Sequence, residues 1–518
     1  MPAHTGLRRQ LARLSQHLLP LGLAAAVLGM LELAAGAGLL PISVPAPSAV
    51  AQAFVRDHAM LWPHLAPTLQ AIAGGFALAL AVATVLAVLA TLARTTRDPI
   101  YNAAIVVQAM PLIALTPILI IWLGNGLAPR IVVTALASFF PILVGLLQGL
   151  RACERGMDEL FTVMAASRWQ RLRMLLLPNA LPFAFSGLKV AAASAVLGAI
   201  VSEWTGATQG VGTMMAYAMF SFKIEQVWMA VILCVLLAVA AYGLVHALER
   251  RFVRWEAVAV LNAGSASLRE GGPRRVLHVA AWSIACMALL LAGWSGLIHA
   301  FSIPPYLLPS PQETFATFQA TPQIFASNLG FTLRTAGLGL GACVLSALLV
   351  AGLFIQLPAL ERTLMPFVIA VRSAPMVAIA PLITLSFGRN LLSGVIVVWM
   401  ACFFPMLVNA VRGFQGVRST HLELMRVNAA SAWQTFAMLR FPFAIPHLFT
   451  GIRVAAPKAV LAAMLSEWLT GARGLGHLIL ESSAMMELPT LWAAILLSVA
   501  TGLAVFWLTD ACERKVQK

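Results

Sequence analysis

Long apolar runs, separated by short segments rich in arginine, are the feature that most restricts how this chain can fold. A bilayer core about 30 Å thick needs about 20 helical residues to cross it, because an α-helix rises about 1.5 Å per residue. The runs predict an all-α polytopic membrane protein with about 12 transmembrane helices. The first six lie near 18–40, 66–93, 100–123, 130–150, 181–202 and 227–248, and the other six near 279–301, 330–357, 364–387, 394–414, 445–466 and 491–512.

The positions of the basic residues support this interpretation. The chain is 60% hydrophobic and 10% charged, with a net charge of +15. Such an excess can indicate nucleic-acid binding, but here the arginines cluster between apolar runs, as in the cytoplasmic loops of membrane proteins. Arg8, Arg9 and Arg13 precede a first run that is too long for a signal-peptide core of about 7–15 residues. We therefore predict an uncleaved first helix, a cytoplasmic N-terminus and no nucleic-acid partner.

The chain contains two copies of one unit. A shift of 264 residues superimposes FFPILV (139–144) on FFPMLV (403–408) and needs no gap between about residue 41 and residue 514. Between the copies, NAGSASLREGGPRR has the composition of a flexible, solvated linker. We predict a first unit at 1–261, a cytoplasmic linker at 262–275 and a second unit at 276–518. Six helices per unit give both units the same orientation, so the repeat is parallel.

The loop after the fourth predicted helix of each unit, within 151–180 and 415–444, repeats one pattern of residues. A Glu is followed six positions later by Ala and, after nine further residues, by Leu, one residue of any type, an apolar residue and Pro. These residues are Glu159, Ala165, Leu175, Leu177 and Pro178 in the first copy, and Glu423, Ala429, Leu439, Phe441 and Pro442 in the second. A short helix beginning near Asp158 would expose apolar side chains, which indicates a protein partner.

This pattern resembles the EAA loop of ABC-importer permeases, whose family form is E-A-A-x3-G-x9-I-x-L-P. The flanking stretches PLIALTPILIIWLGNG and LPNALPFAFSGLKVA are most similar to the nitrate, sulfonate and taurine branch. The chain departs from the family form in two ways. Ala165 and Ala429 stand in place of the family's Gly, and the two alanines after Glu are Leu160-Phe161 and Leu424-Met425.

The resemblance implies a type I ABC importer permease fold in which each loop carries a coupling helix that fits a separate ATP-binding subunit. The residues that would couple are Glu159, Leu160, Phe161, Ala165, Leu177 and Pro178, with Glu423, Leu424, Met425, Ala429, Phe441 and Pro442. From the residues alone, an amphipathic helix lying on the bilayer, with Arg168, Arg171 and Arg173 attracted to anionic lipid, is the alternative.

The same resemblance implies the partners and the location. It implies the bacterial inner membrane, two ATP-binding subunits on the cytoplasmic side and a periplasmic solute-binding protein. The solute would be small and anionic, like nitrate, sulfonates or taurine, although some relatives take vitamin precursors. ATP would be used by the partner subunits, so no cofactor is expected to bind this chain directly.

Two sets of residues are candidates for the translocation path. The third predicted helix of each unit carries paired prolines, which membrane proteins tolerate where a helix faces a cavity or a neighbouring helix. Arg372 is hypothesised to face the central cavity, and the alternative is that it snorkels to the headgroups. The path candidates are Gln108, Pro111, Pro117, Arg372, Pro375 and Pro381.

The fifth predicted helix of each unit ends in Ser-Glu-Trp, followed by Gly-x-Gly. Its length places Glu203, Trp204, Glu467 and Trp468 near the outer face, where tryptophan is frequent. One hypothesis is an outer gate in which the two glutamates touch a binding protein or face each other across a pseudo-twofold axis. The alternative is that each glutamate is an acid at a helix end whose carboxylate accepts hydrogen bonds from nearby backbone or hydroxyl groups.

Catalytic motifs are missing from the sequence. It contains no G-x-x-x-x-G-K-[ST], no HExxH and no G-x-S-x-G, and its six cysteines form no CxxC pair. We therefore expect a permease subunit with no catalytic residues and no metal site. The main alternative is a secondary transporter of the major-facilitator type, which has no reason to repeat an EAA-like loop, and a membrane-embedded enzyme comes third.

Overall fold

The computed structural model is helical throughout the part of the chain that it describes, and no strand occurs there. That part consists of residues 22, 25–41, 43–93, 96–152, 155–204, 206–253, 292–296, 298–302, 304, 308–357, 359–361, 364–365, 376–471 and 473–516. The predicted linker at 262–275 and most of the predicted helix at 279–301 lie outside the described residues.

Eight of the helices described in the first unit recur in the second in the same order and with closely similar lengths. The first unit contains α1 (Ala25–Gly36), α2 (Pro47–Arg56), α3 (His58–Leu92), α4 (Arg97–Ala109), α5 (Leu112–Leu123), α6 (Leu127–Arg151), α7 (Arg155–Val163), α8 (Leu177–Trp204), α9 (Val211–Phe220) and α10 (Ile224–Phe252). The second contains α11 (Pro311–Ala320), α12 (Pro322–Gln356), α13 (Met376–Phe387), α14 (Leu391–Gln415), α15 (Ser419–Val427), α16 (Phe441–Thr470), α17 (Leu475–Ala484) and α18 (Leu488–Val516). The predicted repeat is therefore confirmed in the backbone, at the same 264-residue offset.

Eight helical segments of the described residues are long and apolar enough to cross a membrane. They are α3, α6, Trp169–Trp204, α10, α12, α14, Ala432–Leu469 and α18. The shorter apolar helices α1, α5 and α9 accompany them. These helices confirm the predicted all-α polytopic fold. Apolar helices suit a bilayer because they satisfy their own backbone hydrogen bonds there.

The third predicted helix of the first unit needs a correction. It is two helices rather than one, because the backbone becomes extended at Met110 and α5 begins after Pro111. Proline has no amide hydrogen and disfavours helical geometry in the residue before it. The break therefore follows directly from the sequence Met-Pro.

Close packing of α6 against α8 depends on small residues. A Cβ atom on Gly187 would collide with the carbonyl oxygen of Pro141, and one on Gly145 would meet the backbone of α8. Small residues at such crossings let two membrane helices approach at backbone distance. The fifth membrane segment is thus fixed rigidly to the fourth.

An ion pair joins the fifth and sixth membrane segments of each unit. Lys189 Nζ in α8 lies 2.8 Å from Glu249 Oε2 in α10. At the equivalent positions, Arg453 Nη1 in α16 lies 2.9 Å from Glu513 Oε2 in α18. The duplication has therefore preserved the ionic contact while exchanging Lys for Arg.

The second half of the third membrane segment packs against its own unit and also reaches the opposite unit. Ala114 and Ile118 of α5 belong to the hydrophobic core built mainly by the second unit. Ala380, Leu382 and Ile383 of α13 belong to the core built mainly by the first. The two units therefore share their cores rather than meeting at a simple surface.

Candidate functional site

The glutamate at the end of α8 is buried and hydrogen-bonded within its own unit. Glu203 is 1% exposed. Its Oε1 accepts a hydrogen bond from Thr68 Oγ1 of α3 at 2.6 Å, and its Oε2 accepts one from the Gly212 amide at 2.7 Å. The carboxylate therefore joins α3, α8 and the start of α9.

These groups satisfy the amides at the N-terminus of α9. The first amides of a helix have no partner within the helix and favour a negative charge nearby. The Val211 amide donates to Thr68 Oγ1 at 2.9 Å, beside the bond from the Gly212 amide to Glu203. His64 of α3 adds a contact between its Nδ1 and the Gly210 amide at 3.1 Å.

The Gly-x-Gly sequence is required by this arrangement. Gly210 has a φ of +143°, a conformation that side chains rarely allow. A Cβ atom there would collide with the carboxyl group of Glu203. The motif of Glu, Trp and Gly-x-Gly therefore marks the end of one helix and the start of the next. The glutamate lies in the last turn of the first helix and accepts a hydrogen bond from the first turn of the second.

The second unit repeats the arrangement. Glu467, which is 2% exposed, accepts hydrogen bonds from Thr332 Oγ1 at 2.9 Å and from the Gly476 amide at 3.0 Å. The amide of Leu475 donates to Thr332 Oγ1, and Asn328 takes the place of His64. Hydroxyl and backbone groups therefore satisfy the glutamate at the helix end in both units, as the alternative to the gate hypothesis describes.

Two tryptophan side chains meet between the units. The ring centroids of Trp204 and Trp468 lie 5.7 Å apart at an interplanar angle of 58°. Nε1 of Trp204 is buried and has no hydrogen-bond partner among the described residues. The hydrogen bonds described for each carboxylate lie within its own unit, and the hypothesis that the two glutamates form an outer gate stays a hypothesis.

A buried arginine distinguishes the first unit at this end. Arg130, near the start of α6, is 8% exposed and donates from Nη1 to the Gln209 carbonyl oxygen at 2.9 Å. It holds the loop between α8 and α9, next to the Glu203 cap. The equivalent residue of the second unit is Gly394, against which Ser466 packs.

The loop helices α7 and α15 lie where the sequence predicted short helices, although α7 begins at Arg155 rather than near Asp158. Both helices end in the same way. Ala165 has a φ of +51° and Ala429 a φ of +50°, in the left-handed region that favours glycine. The Ala430 amide donates to the Met425 carbonyl and the Ala166 amide to the Phe161 carbonyl, as in a Schellman motif. The family's Gly is thus a helix terminator, and Ala occupies its strained conformation here.

The coupling candidates lie mostly on the surface. Glu159, Leu160, Glu423 and Leu424 are exposed, whereas Phe161 and Met425 are half-buried. Among the later candidates, Pro178, Phe441 and Pro442 are exposed and Leu177 is half-buried.

Sequence reasoning missed further exposed apolar residues of the same loops. They are Val163, Trp169 and Met174 in the first unit and Val427, Trp433 and Met438 in the second. Their recurrence at the 264-residue offset was a signal that could have found them.

The path candidates are only partly described. Pro111 caps α5 and is buried, Pro117 and Pro381 lie inside α5 and α13, and Gln108 is exposed near the end of α4. Arg372 and Pro375 lie outside the described residues. Because α5 and α13 contact the opposite unit as well as their own, Pro117 and Pro381 lie in helices that join the two units.

Metal ligands do not cluster in the described part of the chain. No group of three or more His, Cys, Asp or Glu side chains could hold an ion there.

Comparison with known proteins gives matches to both halves. The sequence profile of the family described as "Binding-protein-dependent transport system inner membrane component" matches residues 63–254 and again 343–518. Each match covers most of one unit, so the family's characteristic sequence occurs twice.

Individual relatives match a single unit. The "Formylaminopyrimidine transport permease protein ThiX" of Halalkalibacterium halodurans is 31% identical over 216 residues, which cover 42% of this chain and 86% of the relative. The "Riboflavin transport system permease protein RibX" of Chloroflexus aurantiacus is 34% identical over 41% of this chain and 81% of the relative. The "Taurine transport system permease protein TauC" of Escherichia coli is 26% identical over 41% of this chain and 80% of the relative.

Proposed function

The chain belongs to the family of binding-protein-dependent transport system inner membrane components, and from this we propose that its two units together form the pathway of an ATP-driven importer. The observation that carries the proposal is the double family match, which coincides with two copies of the same loop helix. ATP would be hydrolysed by separate subunits. The units would be divided at 262–275, outside the described residues.

The proposed orientation follows from the loop arginines. We infer that α7 and α15 lie on the cytoplasmic side of the bacterial inner membrane, with a cytoplasmic N-terminus and with α9 and α17 on the outer side. Each loop helix would then dock on one of two ATP-binding subunits. The exposed Leu160 and Leu424 support this, because apolar side chains on a loop helix are stabilised by a protein partner.

Co-purification tests the docking surfaces. Leu160→Glu combined with Leu424→Glu should abolish retention of the ATP-binding subunit, because a charge would be buried at each contact. Met485→Glu, at the opposite end of the molecule and equally exposed, is the matched control and should retain the subunit. Solute uptake by the chain alone, driven by a proton gradient, would instead favour the major-facilitator alternative and refute the proposal.

The solute is proposed to be a small anion delivered by a periplasmic binding protein. Relatives named for taurine and aliphatic sulfonates support this choice. Relatives named for formylaminopyrimidine and riboflavin favour a vitamin-related solute as the second candidate. Calorimetric titration of the binding protein encoded beside this chain decides between them. Binding of taurine or an alkanesulfonate supports the anion, and binding of riboflavin or formylaminopyrimidine alone overturns it.

The tryptophan pair is proposed to close the outer mouth of the pathway. Glu203 and Glu467 would act by holding the helix ends that present Trp204 and Trp468. The prolines of α5 and α13 would line the path below, and Arg372 would face the cavity.

A disulfide test examines the proposed gate. In a background without native cysteines, Trp204→Cys with Trp468→Cys should cross-link under oxidation in one nucleotide state and not in the other, with each single variant as control. Equal cross-linking in every nucleotide state would show a fixed contact and would exclude the gate.

A further inference from the structure

The residues that lead into α8 form a helical approach with one exposed face. A turn of α-helix, Arg168–Arg171, is followed by a π-helical turn, Leu172–Leu176, which runs directly into α8. Leu172 and Leu175 are buried against the rest of the unit. The opposite face carries exposed side chains, which we call the approach face: Trp169, Gln170, Arg173 and Met174.

The composition of the approach face is that of a membrane–water boundary. Trp169 is 60% exposed, and the long apolar helical segment Trp169–Trp204 begins at this residue. Tryptophan is enriched at the level of the lipid headgroups, where its apolar ring and polar N–H are both satisfied. Arg173 lies one helical turn further on, so its long stem can follow the apolar surface while the guanidinium stays among the headgroups.

The second unit provides an internal comparison. The approach to α16 has the same two turns, Ala432–Thr435 and Phe436–Arg440, and its exposed face carries Trp433, Gln434, Ala437 and Met438. Trp, Gln and Met are therefore repeated in the two faces. The single difference is Arg173 in the first unit against Ala437 in the second.

Charge also differs in the surrounding sequence. Residues 164–176 contain Arg168, Arg171 and Arg173 and no acid, whereas residues 428–440 contain Arg440 as their one charged residue. Arg440 donates to the Phe414 carbonyl oxygen at 3.0 Å. Positive charge is therefore concentrated in the first unit's approach to its membrane segment.

We propose that the approach face of the first unit is a binding site for an anionic phospholipid, and that the second unit lacks it. Trp169 and Met174 contact the upper acyl chain, and Arg173 binds the headgroup phosphate. Basic residues close to a membrane surface strengthen binding to anionic lipid by about fivefold each. The site does not depend on the transported solute.

A membrane occupant fits better than a protein partner because of where the face lies. The residues lie at the start of the apolar helical segment Trp169–Trp204, one turn or more after α7 has ended at Val163. An ATP-binding subunit docked on α7 would contact the loop helix, while the approach face continues into lipid. Met174, exposed beyond the arginine, requires an apolar neighbour.

Lipid titration of the purified full chain in detergent tests the proposal. Native mass spectrometry should show tighter retention of phosphatidylglycerol than of phosphatidylcholine. Arg173→Ala should lower the apparent affinity for phosphatidylglycerol about fivefold. Ala437→Arg should create a second site of similar affinity, since it completes the same face in the other unit. Arg418→Ala is the control, because this exposed arginine of the second loop lies outside both approach faces.

Three results would overturn the proposal. The first is an unchanged phosphatidylglycerol affinity in both Arg173→Ala and Ala437→Arg. The second is an equal loss in Arg418→Ala, which would indicate general attraction to a basic surface. The third is a loss of ATP-binding subunit in Arg173→Ala with unchanged lipid affinity, which would assign the face to the protein partner. Because the titration uses the chain without solute or ATP, its failure and the failure of the transport proposal are distinguishable.

Discussion

Replacing Glu203 by Gln preserves the shape of the side chain but removes one of two hydrogen-bond acceptors. In the structure, Thr68 and the Gly212 amide donate to different oxygens of the carboxylate. The glutamine amide has one oxygen, so its NH2 group would face one of these donors inside the protein. A buried donor without a partner costs about 1–3 kcal/mol, and loss of the charge at the start of α9 costs about 0.3–2 kcal/mol more.

Burial of a neutral amide is less costly than burial of a carboxylate, which offsets part of this loss. We therefore expect Glu203→Gln to destabilise the chain by about 1–3 kcal/mol. Thr68→Val should have a similar effect, because it leaves the Val211 amide and the carboxylate each without one partner. The two residues are in contact, so the double variant should lose less than the sum, with a coupling of about 0.5–3 kcal/mol.

The assay is the unfolding midpoint in mixed detergent and SDS, measured beside solute uptake in proteoliposomes. Glu467→Gln with Thr332→Val is the comparison set in the second unit. Thr332 and the Gly476 amide both donate to Oε2 of Glu467, so one glutamine oxygen can accept both bonds and Glu467→Gln should destabilise the chain less than Glu203→Gln. An unchanged midpoint with abolished uptake in Glu203→Gln would refute the capping explanation. The carboxylate would then act on the solute or its path.

Other substitutions test further parts of the structure. Gly474→Ala should destabilise by about 1–3 kcal/mol or more in the same assay, because a residue at φ +135° is strained and its Cβ would collide with Glu467. Ala165→Gly should stabilise the end of α7 by about 1 kcal/mol, seen as slower hydrogen exchange there, because it relieves the left-handed strain. Lys189→Met should cost about 1–3 kcal/mol of unfolding free energy by leaving Glu249 with the neighbouring His246 in place of a permanently charged partner, and additional Glu249→Gln should recover part of the loss.

The fold was largely predictable because lipid imposes simple rules on sequence. An apolar run of sufficient length in a membrane protein is a helix, and a repeat without gaps repeats its helices. The break before α5 could also have been read from Met110-Pro111. The contacts of α5 and α13 with the opposite unit could not have been predicted from the sequence, since Ala114 and Ile118 would be equally apolar in either core.

The candidate site was predictable in position more than in detail. The length of the fifth segment placed the Ser-Glu-Trp ends correctly at the end of a helix. Which side chain meets the other unit depends on rotation, since successive residues on a helix point about 100° apart. Trp204 therefore contacts Trp468, while Glu203 turns back toward α9. Pairing within the unit depended on Thr68, whose distance of 135 residues along the chain hides the contact.

The contacts that α5 and α13 make with the opposite unit have an evolutionary consequence. Each half contributes side chains to the core of the other, so a substitution in one half is accepted or rejected by residues that the other half encodes. The two copies are therefore expected to coevolve. Yet because both are written in one gene, a residue can change on one side of the axis alone, as Arg130 opposite Gly394 illustrates. A chimera that exchanges one whole half with that of a relative would import α5 or α13 into a core that never evolved with it.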